Sequence, residues 1–501
     1  MKIRIAKQPV DLIRDEIIAA GIFEGSKRLG TAAARINKHT AGMIKDILAS
    51  GDFTGKLYQT MLLYVKKGLK TNRVLLVGLG KEDEFTPERL RGATASAANR
   101  VRDLGLKKFV CPLGFAHVRG LKPGGKARAC VEGMLLGLYR FDEFKSKKAT
   151  EQDRLGTCTI LVDENDALNE VRAGVKEGRI IAEATCMVRS MVARPGNSAT
   201  PTYLAGTARS IARREGLKCS VLDARSAKKM GMGAFLGVAR GSDEPARFIV
   251  LEYVPVKTKA GKPIVVVGKA ITFDSGGISL KPANNMEEMK TDMAGGAAVL
   301  GILQACARLK IPRRVVGIVP ATENLPSGSA LKPGDVITAM SGKTIEIIST
   351  DAEGRLILAD ALTYAHRFKP DAIIDMATLT GACIIALGND VSGMMGTDER
   401  LISCLKAAGE ATGDRVWQLP LYEQYGELIK SDIADIKNVG GRPAGTITAG
   451  YFLKEFVGEV PWVHIDIAGT AWTKTNKPCA PKGATGAGVR LIIEMLRRWQ
   501  D

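Results

Sequence analysis

Ser349-Thr350-Asp351-Ala352-Glu353-Gly354-Arg355-Leu356 sets two acids and an arginine at alternate positions. In extended backbone Asp351, Glu353 and Arg355 would face the same way, and three charges on one face make no core. The residues ahead, Thr344-Ile345-Glu346-Ile347-Ile348, are mostly β-branched and read as a strand, while Leu356 to Phe368 carries apolar residues at helical spacing. The acids therefore stand where a strand gives way to a helix. Ligands bind at that edge of an open α/β sheet, so the placement marks a site rather than a solvated loop.

A second stretch adds to it. Pro263 to Val267 is an apolar, β-branched run with the character of a buried strand, followed by Gly268-Lys269, Thr272-Phe273-Asp274-Ser275-Gly276-Gly277, Lys281 and Asp292. With Asp351 and Glu353 this gives four carboxylates and two lysines that can converge on one sheet edge. Carboxylates gathered without cations raise one another's pKa and destabilise a fold, so such a cluster holds metal or pairs with cations. Two divalent ions would satisfy it. For Lys269 the residues alone also allow a salt bridge to Asp274, for Arg355 a pairing with Glu353, and for Lys281 an exposed position.

Composition narrows the classes. The chain has 501 residues, 45% of them hydrophobic, enough for two or three domains with a real core. No window approaches the ~18 uncharged apolar residues of a membrane span, and Met1-Lys2-Ile3-Arg4 lacks the apolar core of a signal peptide, so a cytoplasmic protein without membrane attachment is expected. The nine cysteines are scattered without a close pair, which signals neither a zinc knuckle nor a disulfide framework. Only four histidines occur (His39, His117, His366 and His464), and no two form a zincin pair, so any metal must be held mainly by oxygen. His366 reads as a helix-packing or surface residue, and His464, in Val463-His464-Ile465, as a core histidine.

The order of elements is α/β. To about residue 165, short apolar strands such as Met61 to Val65, Val74 to Val77 and Thr159 to Val162 alternate with helical stretches such as Thr86 to Leu104, which argues a small N-terminal α/β domain (1–165). Gly78-Leu79-Gly80 follows a strand, but Asp83 stands where a dinucleotide fingerprint needs its third glycine. Residues 1–165 hold 30 basic and 18 acidic residues, +12 of the total +19, which would attract nucleic acid or another polyanion, or simply solvate a surface. Asn169 to Val192 reads as a long helix stopped by Pro195, a linker over 166–194. Beyond it, 195–501 alternates strands and helices as a larger α/β domain with a mixed central sheet flanked by helices. Its strands include Phe248 to Tyr253, Arg314 to Pro320, Thr344 to Ser349, Ala372 to Ala377 and Trp462 to Ile467. Ala294 to Leu309 is a small, apolar helix that can pack closely under the site.

Val267-Gly268-Lys269, Thr272 to Gly277, Lys290-Thr291-Asp292-Met293 and Thr350 to Leu356 together resemble the leucyl aminopeptidase (cytosol aminopeptidase) family of dinuclear metallopeptidases. The likeness runs on through Glu323-Asn324-Leu325-Pro326-Ser327-Gly328, Lys332-Pro333-Gly334-Asp335-Val336, Ala377 to Ala382, Trp417-Gln418-Leu419-Pro420 and His464-Ile465-Asp466-Ile467-Ala468-Gly469, in order and with family-like spacing. It covers Ile180 to the C-terminus and makes 195–501 the catalytic domain. In such a family the N-terminal domain serves assembly.

The resemblance implies roles. Asp274 and Glu353 would bridge two metals, Asp351 would serve one of them, and Asp292 with Lys269 the other, the lysine being neutral because two cations depress its pKa. Several carboxylates suit Mn, Zn or Mg. Water between two cations about 3.5 to 4 Å apart loses a proton near neutral pH. Lys281 would stabilise the developing oxyanion, and Arg355 would hold a bicarbonate that shuttles a proton. Met289, Thr378, Gly381 and Ala468 would line an apolar specificity wall favouring leucine-like first residues, with the Leu379 backbone meeting the substrate. The expected activity is aminopeptidase action on peptides by a homohexamer. The alternatives are a DNA-binding architectural role, main or accessory, and a dinuclear phosphohydrolase. The chain departs from the family pattern at Ser349 and Ala193, where asparagine is usual, and at Gly296, where alanine is usual; none removes a ligand.

Overall fold

The structure is a computed structural model that describes the chain apart from residues 27, 117, 119, 148–149, 151–153, 164–166, 257–260 and 500–501. The expected domain boundary at 165, like His117, lies outside the described residues. Contacts divide the chain into two units, Met1–Glu183 with Thr475–Lys482, and Ala184–Lys474 with Gly483–Asp501. The helix Leu168–Ala193 supplies residues to both.

The first unit is built on a six-stranded sheet. Its strands are β1 (Lys2–Lys7), β2 (Ile18–Ile22), β3 (Thr60–Tyr64), β4 (Arg73–Gly78), β5 (Lys108–Pro112) and β6 (Thr157–Val162), in the order β1-β6-β5-β2-β4-β3. Only β3 runs antiparallel to its neighbour. The helices Pro87–Asp103 and Pro123–Gly137 pack on this sheet, the first capped by the Thr86 side chain, which accepts from the Arg89 N–H, with proline at its first turn.

The second unit carries a nine-stranded mixed sheet. Its strands are β7 (Lys218–Leu222), β8 (Arg247–Tyr253), β9 (Ile264–Gly268), β10 (Ala270–Asp274), β11 (Val315–Asn324), β14 (Ala372–Ala377), β15 (Ser392–Gly396), β16 (Val416–Gln418) and β18 (Trp462–Asp466). The order is β16-β15-β18-β14-β9-β11-β8-β7, with β10 also on β11. Between them in sequence, β12 (Val336–Thr338), β13 (Thr344–Glu346) and β17 (Ile436–Lys437) form a separate three-stranded sheet. The strand expected just ahead of the acidic segment is therefore present but short, and it does not belong to the central sheet. β9 is buried along its whole length between two parallel neighbours, which is why it reads as an unbroken Ile-Val-Val-Val run rather than an alternating one.

One irregularity positions everything that follows. β11 is ten residues long and pairs first with β9, over Val315–Ile318, and then with β10, from Ala321 to Asn324. Lys269 is the residue between β9 and β10. Its N–H donates to Met376 O of β14 (3.0 Å) and its C=O accepts from Gly296 N at the start of the helix Ala294–Leu309 (2.7 Å), so the backbone is satisfied while the side chain turns inward at the sheet's edge. Among the described residues, no helix is long and apolar enough to cross a membrane.

Candidate active site

The mutually parallel strands β9, β10, β11, β14 and β18 end together. Their last residues, or those just beyond, are Lys269, Asp274, Asn324, Thr378 and Asp466. This is the carboxyl edge at which open α/β sheets bind ligands. The acidic segment reaches the edge from the small sheet as a tight turn, not as the extended strand expected: Thr350 and Asp351 form a turn and Glu353 caps the helix Gly354–Ala365. The physical reason is a set of side-chain bonds from the loop after β10. Thr350 Oγ1 donates to Gly276 O (2.6 Å) and accepts from Ser279 N (2.8 Å), while Ser279 Oγ accepts from Thr350 N (3.1 Å). That loop turns at Gly276 and Gly277, with φ of 88° and 65°, where a side chain would be strained. Asp351 and Glu353 then meet Asp274, but Arg355 points elsewhere, its Nη1 donating to Asn438 O (2.7 Å).

Asp274, Asp351 and Glu353 each offer an oxygen within 4.8 Å of the others. Two lysines hold the cluster from opposite sides. Lys269 Nζ lies 2.6 Å from Asp292 Oδ2 and 2.8 Å from Glu353 Oε1, and donates to Thr378 O (3.0 Å); it does not take the pairing with Asp274 that the residues alone allowed. Lys281 Nζ lies 2.9 Å from Asp274 Oδ2 and also pairs with Asp351. The structure thus brings together Lys269, Asp274, Lys281, Asp292, Asp351 and Glu353.

The electrostatics follow from enclosure. Burial raises the Asp292 carboxyl well above its usual range; Lys269 opposes this, and Glu353 and Asp274 add to it. Burial likewise raises Glu353, reinforced by Asp274, and raises Asp351 against the pull of Lys281. For Lys269 and Lys281 burial works against the charge, yet the surrounding acids outweigh it and hold both ammonium groups firmly protonated. Burial lowers Arg355 to about 10, with Glu353 and Asp466 opposing.

The donor set fits divalent cations. Asp292 Oδ2 and Glu353 Oε1 are buried and face Lys269 Nζ at 2.6 and 2.8 Å, at angles outside regular hydrogen-bond geometry, so the anionic oxygens are gathered around one cation position. Buried acceptors of this kind are rare unless something else satisfies them. Arg355 Nε is also buried without a hydrogen-bond partner among the described residues.

Of the expected substrate residues, Thr378 is bonded directly to the cluster. Thr378 Oγ1 donates to Asp292 Oδ1 (2.7 Å), Leu379 N donates to Asp466 Oδ1 (3.2 Å), Gly381 opens the helix Gly381–Leu387, and Met289 and Ala468 are half-buried. His464 is a core residue, fully buried, with Nδ1 2.5 Å from Asp375 Oδ1. His366 is half-buried, with Nε2 3.3 Å from Phe456 O.

Sequence reading missed two asparagines. Asn324 Nδ2 donates to Asp274 Oδ1 (2.8 Å) and Thr350 O (3.0 Å), joining the two acidic segments, and Asn438 receives Arg355. Asn324 stands inside a motif already noted; Asn438 had only the glycine pair Gly440-Gly441 beside it as a signal.

Comparison with known proteins gives the chain's family. The model of the cytosol aminopeptidase family catalytic domain matches residues 186–493, and that of the family's N-terminal domain matches residues 19–148. A probable cytosol aminopeptidase of Geotalea uraniireducens is 48% identical over 465 residues, covering 92% of each chain. The cytosol aminopeptidase of Pseudomonas aeruginosa is 46% identical over 487 residues, covering 97% of each. Among solved structures, a mutant of tomato leucine aminopeptidase superposes with a TM-score of 0.89 at 32% identity, covering 100% of this chain and 97% of that one. The bottromycin maturation enzyme BotP in complex with Mn gives 0.84 at 35%, covering 96% and 99%. With both of its domains matched and the carboxylate-lysine cluster at the sheet edge, the chain belongs to the cytosol aminopeptidase family and is a peptidase.

Proposed function

We propose that the protein releases N-terminal residues from peptides, preferring leucine and other large apolar ones, with two divalent ions held by Lys269, Asp274, Asp292, Asp351 and Glu353. The observation that carries this is the cluster itself, in which Asp274, Asp351 and Glu353 each bring an oxygen within 4.8 Å of the others while Asp292 and Glu353 converge on Lys269. Mn and Zn suit such a donor set, as does Mg. When bound, such ions polarise a carbonyl and bring the pKa of water near neutrality.

The chain's own groups supply the rest. Lys281, kept charged by Asp274 and Asp351, places a cation where a scissile carbonyl oxygen gains negative charge. Arg355 presents its unpartnered Nε to an anion, and a bicarbonate there would supply a base. Asp466 occupies the N–H of Leu379, leaving that residue's carbonyl to meet a substrate N–H. Met289, Thr378, Gly381 and Ala468 supply the wall against which an apolar first side chain packs.

Protein loaded with Mn or Zn should hydrolyse leucine amides and leucyl peptides and stop on chelation. Hydrolysis that is absent, or indifferent to chelator, removes the reading. Faster turnover of a phosphoester would instead favour the dinuclear phosphohydrolase. The family reading also implies a homohexamer, which light scattering of a monomer at micromolar concentration would contradict. The +12 excess in residues 1–165 supports an accessory, weak and sequence-indifferent DNA binding. A gel shift absent even at low salt would eliminate it.

A further inference from the structure

Asn438 follows β17 directly and is fully buried. Every polar atom it owns is committed, and to both ends of the acidic turn. Its N–H donates to Glu346 O of β13 (3.0 Å). Its side-chain Oδ1 accepts from Ile348 N (2.8 Å) and Ser349 N (3.3 Å), and its Nδ2 donates to Ser349 O (2.7 Å). Its C=O accepts from Arg355 Nη1 (2.7 Å), the one hydrogen bond the Arg355 side chain makes among the described residues.

The geometry has two consequences. Ser349 enters the turn two residues before Asp351, and Arg355 leaves it two residues after Glu353, so one residue fixes the entry and the exit of the segment that carries both acids. The side chain of Asn438 holds backbone at 348 and 349. The Ser349 hydroxyl adds to this by accepting from Asp351 N (3.2 Å), so serine at this position supports the turn. A guanidinium with a single fixed hydrogen bond takes its direction from that acceptor, and the acceptor's own place is set by the Asn438 amide.

We propose that Asn438 is a positioning residue for the peptidase reaction, orienting Arg355 from behind while clamping the backbone that leads into Asp351. It touches no substrate and acts through Arg355; the inference rests on the role given to Arg355 above. A competing account makes Asn438 a mere fastener between the small sheet and the loop, important for stability alone.

Asn438→Asp separates the two accounts, because it keeps size and the Oδ1 acceptor but sets a second acceptor against Ser349 O. Asn438→Ser, smaller and neutral, serves the same purpose should the aspartate variant not fold. The measurements are kcat and KM on a leucine amide at saturating metal, metal content per chain, and thermal unfolding, each with Arg355 intact and with Arg355→Ala. A misplacement of about 1 Å can lower turnover roughly 100-fold, so kcat should fall about 10- to 100-fold. KM should stay within about threefold and metal content should be unchanged. In the Arg355→Ala background the same substitution should cause no further loss, because coupled residues are not additive. An equal fractional loss in both backgrounds, or a lower melting temperature with unchanged kcat, overturns the inference. If Arg355→Ala lowers kcat while the Asn438 variants do not, this inference alone falls. If Arg355→Ala itself leaves kcat unchanged, the role of Arg355 falls with it.

Discussion

Gly296→Ala is a sharp test of how the sheet edge is built, since alanine is the residue the family usually carries at this position. Gly296 is the third residue of the helix Ala294–Leu309, and a Cβ there would lie 2.7 Å from Ala270 Cβ and 2.7 Å from Val319 Cγ1. Carbon atoms rest at roughly 3.5 to 4.0 Å, so each contact is about 1 Å too short. Neither neighbour can swing away: the alanine Cβ is fixed to β10, and valine is stiff at χ1. The helix must move, at a cost of about 1 to 3 kcal/mol for overpacking, against the roughly 1 kcal/mol that alanine gains over glycine in helix propensity. The net is about 1 kcal/mol of destabilisation, or a melting temperature roughly 1 to 2 °C lower for a unit of this size. The motion also reaches the chemistry, because Gly296 N holds Lys269 O at 2.7 Å and Ala270 is the next residue. Turnover should therefore drop by about tenfold or more. Thermal unfolding and peptidase kinetics would be read on the parent, Gly296→Ala, and the double variant with Ala270→Gly, which removes one of the two contacts and should recover part of both losses. A Gly296→Ala protein as stable and as active as its parent would refute the reasoning.

Asp351→Ala and Glu353→Ala should each lose metal and activity together, whereas Lys281→Ala should keep its metal and lose roughly 100- to 1000-fold in turnover; elemental analysis beside kinetics separates them, and metal loss in Lys281→Ala would contradict its assignment. Lys269→Arg should fail to bind metal, because a guanidinium cannot become a neutral ligand. Asp360 is buried, and burial pushes it up to about 7 although its oxygens accept the N–H groups of Phe235 (2.8 Å) and Met340 (2.7 Å). Its folded pKa exceeds the unfolded value, so its contribution to stability is full below about 4 and is lost as pH rises through about 7. Asp360→Asn should flatten that part of the pH dependence, measured as urea midpoints between pH 4 and 8, and an unchanged slope would discount the burial effect.

The α/β class, the mixed central sheet and the helix Ala294–Leu309 were legible because each rests on local pattern: the unbroken Val run of β9, or the fourteen residues without a charge from Ala294 to Ala307. What failed depends on distant partners. Thr344 to Ile348 has strand composition, but its membership in the small sheet is decided by Ile436, across from Ile345. Ala270–Asp274 reads as a polar loop because Thr272 and Asp274 interrupt it, yet β11 is long enough to pair with it after β9 has ended. The acidic segment is bent by Ser279 and Gly276, over seventy residues away, which local periodicity does not report. The two asparagines were missed for the same reason. Their function is to satisfy backbone and carboxylate groups that only the fold brings near.

The difference between the two lysines gives the site its logic. Lys269 is 4% exposed and surrounded by Asp292, Glu353 and the Thr378 carbonyl, an enclosure that suits the metal-holding role proposed for it and not contact with a substrate. Lys281 is 21% exposed and pairs with Asp351, itself the most exposed of the four acids, which gives its ammonium the open position that the proposed oxyanion role requires. A buried ammonium is costly unless paired, and each lysine is paired twice. In the proposed mechanism, enclosure of one and access to the other would divide the same residue type between holding a cation and acting as one, and the break between β9 and β10 is what turns Lys269 inward while the glycine turn after Asp274 carries Lys281 outward.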